Sequence, residues 1–344
     1  TVWKNNPEEI SNRLAWLEIA REMTSEIKEI NNFVNELLIE GYKKVLLMGM
    51  GGSSLAPEVY RKTFGVKEGY LDLSILDSTD PEMVQSYARS ISPQDTLFIV
   101  STKSGGTIET LSFFKYFYTL LVDKLGEEEA GKRFILITDP GSSLIDLAQT
   151  YHFRKIFLNN PNLGGRYSAL SHFGLVPAAM IGVDISLILE RAQVMMQRCQ
   201  PNISYKENPA VFLGALLAEM AKNWRDKVTY LLTPDIQSFG DWVEQLIAES
   251  TGKEKKGILP VVKESLGDPM FYFKDRLFIV MSLPLAESSW MGRINNLILS
   301  GQPVIHLELQ DYYDIGGQFF LWELATAIAG YRLEVNPFNQ PNVE

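Results

Sequence analysis

Cysteine is almost absent: Cys199 is the single one in 344 residues, so an internal disulfide is impossible and a Cys-based zinc site is excluded. Long apolar runs are missing too. None approaches the roughly 20 residues that cross a bilayer, and the N-terminal "TVWKNNPEEISNRL" lacks both the basic and the apolar region of a signal peptide. A reducing, cytoplasmic setting without membrane attachment is the expectation. Positive charge is in deficit, with 32 Lys and Arg against 42 Asp and Glu and a net charge of -10. That argues against a nucleic-acid partner, because phosphate backbones are held by clustered Lys and Arg. An anionic small molecule would need a local positive site. Low-complexity segments and close internal repeats are also lacking.

What the chain does have is ordinary for a water-soluble globular protein: 46% hydrophobic and 22% charged residues. Its length exceeds the usual single domain, so two domains or one large α/β unit is expected. Short aliphatic runs alternate with helical patterns through "KKVLLM", "LDLSIL", "TLFIVS", "RFILITD" and "RKIFLN". Apolar runs this continuous read as strands buried on both faces, as in a parallel sheet covered by helices. The turn-rich "NNPNLGGRYS", residues 159–168, marks a junction. A second series follows with "KVTYLLTP", "LFIVMSL" and "PVIHLEL" and the helical "DWVEQLIAES", "WMGRINNLIL" and "GQFFLWELATAIAGYRL". The expected architecture is α/β, with two doubly wound domains, residues 1–160 and 161–344, each a parallel sheet flanked by helices.

Two Gly/Ser-rich stretches, "GMGGSSLAP" from Gly49 and "STKSGGTIET" from Ser101, fall where a strand passes into a helix. Such loops offer unpaired backbone N–H groups at a helix N-terminus, where the macrodipole favours an anion. Thr102, Ser104 and Thr107 add hydroxyls and Lys103 a positive charge. Neither stretch matches a nucleotide fingerprint, and a phosphate monoester is the most economical ligand. Ordinary capped helix starts are the alternative. In "GGRYS", Arg166 sits in a glycine-flanked turn, either against a ligand or as a surface arginine of a linker. Glu249 follows Trp242 by seven residues and Leu246 by three, on a helical face shared with apolar side chains. A carboxylate there is expected to be partly desolvated, which suits it to act as a base, although a buried structural glutamate paired with lysine fits the same pattern.

Together and in order, "GMGGSSLAP", "STKSGGTIET", "GGRYSALSHFGL", "VEQLIAESTGK" and "GGQFF" resemble the phosphoglucose isomerase family, over nearly the whole chain. The resemblance implies two sugar-isomerase (SIS) domains. It places phosphate binding on Ser53, Thr102, Lys103, Ser104 and Thr107, the catalytic glutamate on Glu249, and the arginine that steadies the reacting oxygens on Arg166. Gly52 and Gln318 match further positions lining the sugar site. The implied reaction interconverts glucose 6-phosphate and fructose 6-phosphate through a cis-enediol, with no metal and no nicotinamide or other cofactor. It also implies a homodimer and a small-molecule sugar phosphate as partner. The compact form is similar to the isomerase part of bifunctional transaldolase/phosphoglucose isomerases, which implies fusion to a transaldolase domain in a longer chain. The family's C-terminal lysine lies beyond a stretch like "FNQPNVE", with which this sequence ends. Where members carry a histidine after Gly-Gln, this chain has Phe319; His306 is a possible substitute in ring opening, and His152 and His172 read as packing residues. A sugar-phosphate sensor without chemistry and an isomerase of other hexose phosphates, such as mannose 6-phosphate, are the competing readings.

Overall fold

A computed structural model of the chain describes residues 2–5, 9–284 and 288–340. The chain divides into two compact units, one of Glu18–Ser186 and one of Thr1–Leu17 with Leu187–Glu344.

The Glu18–Ser186 unit runs α1 (Ile19–Glu22), α2 (Ile27–Ile39), β1 (Lys44–Gly49), α3 (Gly52–Phe64), β2 (Asp72–Leu76), α4 (Pro81–Ser90), β3 (Thr96–Ser101), α5 (Ile108–Leu125), α6 (Glu127–Gly131), β4 (Phe134–Thr138), α7 (Ser143–Thr150), β5 (Lys155–Leu158) and α8 (His172–Met180). Its five strands are all parallel, in the order β2-β1-β3-β4-β5. The chain leaves β1 toward one edge and returns at β3 on the other side of it. Their carboxyl ends therefore form the switch point at which doubly wound sheets bind ligands.

All five runs read from the sequence are strands; β1, β3 and β4 are buried on both faces, which leaves no amphipathic alternative, while β5 at the sheet edge is partly exposed. Helix α5 covers one face through Phe113, Phe114, Phe117 and Leu121, all buried. Phe98 and Phe134 stack at 5.0 Å, and Phe114 meets Phe134 edge-on at 5.2 Å. Each such side chain contributes about 1.5–3 kcal/mol by leaving water. Helix α2 was not read from the sequence although its signal was there: Ile30, Phe33, Val34 and Leu37 are buried at helical spacing. The unit runs past Asn160, because α8 packs on α3 and α2 and every one of its residues is buried.

The other unit holds α9 (Ile185–Arg198), whose first residues lie at the division, α10 (Pro209–Lys222), β6 (Lys227–Leu232), α11 (Phe239–Thr251), β7 (Leu259–Val261), β8 (Arg276–Ser282), α12 (Ser288–Leu299), β9 (Val304–Glu308) and α13 (Asp314–Leu333). Its strands are again parallel, in the order β7-β6-β8-β9. Strand β7 escaped the sequence reading because three residues with Pro260 among them carry no strand pattern.

Helix α13 is buried along almost its whole length. Glu323 is completely inaccessible there, and neither carboxylate oxygen has a hydrogen-bond partner among the described residues. Burial alone pushes its carboxyl well above the usual carboxylate range. The folded state thus keeps a proton that the unfolded chain has lost, so this group's contribution to stability is complete below the ordinary carboxylate pKa. It is lost as pH rises toward the folded value, at about 1.4 kcal/mol per pH unit. Glu323→Gln is expected to flatten that dependence and to be more stable than wild type at pH 8. Urea denaturation from pH 5 to 8 measures this, and parallel profiles for the two proteins would contradict it.

Candidate active site

At the switch point of the Glu18–Ser186 unit, the helices after β1 and β3 both begin without a side-chain cap. Helices α4, α7 and α8 are each capped by their own Asp80, Ser142 or Ser171. The start of α3 is turned by Gly51, at φ 54°. At α5 the Thr107 hydroxyl is bonded to that of Thr102, at 3.0 Å, rather than to the helix. At α3 the Ser53 and Ser54 N–H groups donate to the Met50 and Gly51 carbonyls, at 3.1 and 2.9 Å, whereas the first turn of α5, without a side-chain acceptor and at the positive end of a macrodipole, suits an anion. The two loops are joined, since Ser101 Oγ donates to the Ser53 carbonyl at 3.2 Å. Ser104 stays exposed, its Oγ accepting from the Gly106 N–H at 3.2 Å.

Lys103 is not a loose charge. Its Nζ lies 2.6 Å from Asp139 Oδ2, and its carbonyl accepts from Thr138 Oγ1 and from the Asp139 N–H, both at 3.1 Å. The loop is thereby fixed to the end of β4. Asp139 was missed in the sequence, where "ITDP" at the end of the strand beside β3 was the available signal.

Gly52 sits against the turn that carries Arg166. A Cβ at position 52 would lie 2.2 Å from the Gly165 carbonyl oxygen, a distance no side chain tolerates. The tight approach that this glycine permits is thus made to the protein's own backbone. Arg166 is 2% exposed, with its guanidinium 5.7 Å from the Tyr167 ring centre. That excludes the surface-linker reading. One unit therefore gathers Gly52, Ser53, Thr102, Lys103, Ser104, Thr107 and Arg166 at the ends of β1 and β3.

In the other unit, Glu249 occupies the last turn of α11 and is exposed; its Oε1 accepts from Gln245 Nε2 at 2.8 Å. The expected desolvation is not found. The buried face is centred on Val243, Leu246, Ile247 and Ser250, and at 100° per residue Glu249 falls nearly a third of a turn from its middle. Trp242, on the same flank, is buried because its ring reaches inward. Gln245 was also missed, although a glutamine four residues before a glutamate on a helix is a readable pair. Gln318 is 7% exposed on α13, and its Oε1 has no hydrogen-bond partner among the described residues.

A family model described as phosphoglucose isomerase matches residues 20–264. The chain belongs to the phosphoglucose isomerase family. It is 30% identical to the glucose-6-phosphate isomerase of Carboxydothermus hydrogenoformans, over 93% of this chain and 80% of that one. To that of Methanocaldococcus jannaschii it is 28% identical, over 89% and 83%. Among solved structures, a hypothetical protein from Thermus thermophilus superposes with a TM-score of 0.87 at 24% identity, over 99% of this chain and 89% of the other. A Chlamydia trachomatis glucose-6-phosphate isomerase gives 0.79 at 19%, over 94% and 72%. These two share the fold, a pair of SIS-type parallel sheets.

The matched span includes both loops, Arg166 and Glu249, while Gln318 lies beyond it. In this phosphoglucose isomerase family member Phe319 is fully buried, its ring edge-on to Trp242 at 4.7 Å. It is a core residue with no proton to exchange. His306 lies on β9, with Nε2 2.7 Å from Ser282 Oγ on β8. His172 is buried beside Glu26, at 3.7 Å, and burial holds its pKa below the ordinary value. His152 is exposed at φ 55°. Residues 341–344, the end of the stretch compared with the family's C-terminus, lie outside the described residues.

Proposed function

We propose that this chain is an aldose–ketose isomerase interconverting glucose 6-phosphate and fructose 6-phosphate. One observation carries the reading: membership of the phosphoglucose isomerase family, with relatives named glucose-6-phosphate isomerase matched over four fifths of their length. The uncapped start of α5 and the Lys103 loop support it, because they offer a dianionic phosphate N–H groups, hydroxyls and a cation.

In the proposed reaction the Glu249 carboxylate takes the proton from C2 of the open-chain aldose. The C1–C2 bond becomes the double bond of a cis-enediol as O1 takes up a proton; the same carboxyl then returns the carbon-bound proton to C1 while O2 gives up its hydroxyl proton and becomes the ketose carbonyl. Arg166 offsets the negative charge that develops on the enediolate oxygens. Phosphate binding on Ser53, Thr102, Lys103, Ser104 and Thr107 would supply remote binding energy to hold the reacting carbons. Gly52 and Gln318 would line the sugar site. The same reading includes a homodimer in the cytoplasm.

A coupled assay with fructose 6-phosphate tests the reaction, run beside mannose 6-phosphate for specificity. Binding without turnover would leave the sensor reading. Lys103→Ala is expected to raise KM for fructose 6-phosphate about 10–100-fold, the value of a charge-assisted hydrogen bond, and to change kcat far less. The loss is compounded because Asp139 loses its ion pair with Lys103. Steady-state kinetics checks this; an unchanged KM would remove Lys103 from the phosphate site.

A further inference from the structure

The four residues after Glu249 lead into a cation that the reaction above does not use. Lys253 follows the end of α11 and is 6% exposed. Its Nζ donates to the Asn336 carbonyl at 2.6 Å, the Asn339 carbonyl at 2.6 Å and Asn339 Oδ1 at 2.8 Å. All three acceptors belong to the segment Val335–Asn339 that follows α13. Three residues further on, Lys256 Nζ donates to the Leu333 carbonyl at 2.8 Å, where the same segment begins. Between the two lysines, Glu254 and Lys255 are left-handed, at φ 53° and 60°. Non-glycine residues adopt that conformation only where the surroundings demand it.

The segment is itself anchored. Val335, Asn336 and Phe338 are buried, Phe338 meets the Trp3 ring edge-on at 5.1 Å, and Pro337 fits against Gly330, where a Cβ would lie 2.9 Å away. Asn336 Oδ1 accepts from the Phe338 N–H at 2.9 Å, which fixes the turn presenting the two carbonyls. At the other end, the Lys253 N–H is bonded to the Thr251 carbonyl at 2.8 Å and Thr251 Oγ1 to the Ile247 carbonyl at 2.8 Å. The Lys253 ammonium thus ties the end of α11 to this anchored strap, beside the Ile258 N–H that donates to Thr251 Oγ1 at 3.0 Å.

We propose that Lys253 is a positioning residue for the isomerisation: by clamping the Val335–Asn339 strap it holds the last turn of α11, and with it the Glu249 carboxylate, in place. The inference rests on the proposed function. Glu249 lies on the exposed side of a last turn whose Ser250 and Thr251 are buried, so its position depends on how that turn is held against the rest of the unit. A displacement of about 1 Å in a reacting group costs on the order of 100-fold in rate. Lys253 touches no reacting atom in this scheme, so its loss should appear in kcat and leave the phosphate-dependent KM unchanged.

The experiment compares wild type, Lys253→Met, Lys253→Arg and Asn339→Ala, by fructose 6-phosphate kinetics and by hydrogen exchange of Glu249–Thr251 and the strap. Lys253→Met should lose about 10–100-fold in kcat with KM within threefold, and exchange in the last turn of α11 should accelerate. Lys253→Arg keeps the charge and should recover part of the rate, while Asn339→Ala, which removes the Oδ1 acceptor and leaves both carbonyls, should lose less. If Lys253→Met does not fold, the other two variants decide. Folded variants with kcat within twofold of wild type, or with exchange in Glu249–Thr251 unaltered, overturn the clamp. Wild type without turnover would overturn the isomerase reading and the positioning role together, whereas an active wild type with indifferent variants overturns Lys253 alone.

Discussion

Replacing Glu249 by Gln is expected to lower kcat for fructose 6-phosphate by about 1,000-fold while sugar-phosphate affinity changes less than threefold, within the range that a positioned general base contributes. The substitution keeps size and one oxygen, removes the charge and the ability to take a proton, and replaces the other oxygen with an NH2 donor. Glu249 is held by Gln245 at 2.8 Å and is exposed, so the amide that replaces its carboxylate can occupy the same place at little cost to stability. The measurement is a kinetic assay paired with calorimetric binding of fructose 6-phosphate. Turnover within tenfold of wild type would remove Glu249 from the mechanism. Lost binding with normal kcat would assign it to affinity instead.

Gly52→Ala is expected to reduce kcat/KM by about 100-fold while shifting the melting temperature by only a few degrees. Two effects oppose each other. Alanine is the better helix former by about 1 kcal/mol, and position 52 opens α3. The new methyl, however, would meet the Gly165 carbonyl at 2.2 Å, and backbone cannot give way as a side-chain tip can. Overpacking of this kind costs about 1–3 kcal/mol, so the clash wins. Relief comes from moving the Gly164–Tyr167 turn, and Arg166 moves with it. Activity within twofold of wild type would mean that this contact does not set the arginine. A protein that melts far lower would mean that the turn supports the whole unit.

Parts of this site were legible because their chemistry is local. The Gly51 turn, the hydroxyls at Thr102 and Thr107 and the strand runs before them depend on neighbours within a few residues, and backbone sterics and burial act at that range. Lys103 was legible as a cation but not as an ion pair, because Asp139 arrives from the next strand. Glu249 was legible as a helical carboxylate, whereas its exposure turned on an offset of nearly a third of a turn from the centre of the buried face, which only packed neighbours define. Gly52 was legible as part of a Gly/Ser loop, but not its close approach to Gly165, more than a hundred positions away in the chain. Phe319 stood out against the family's histidine in sequence alone, and only packing against Trp242 explains how a hydrocarbon sits there.

By itself, the sequence determined the alternation of strands and helices, the two Gly/Ser loops and the ordered motifs of the phosphoglucose isomerase family, since each is written in residues close together in the chain. The tertiary structure decided the partners: Asp139 for Lys103, Gly165 for Gly52, the strap for Lys253, and the isolation of Glu323. Charge compensation, desolvation and steric contact act through space, so residues far apart in sequence acquire those properties only when folding brings them together.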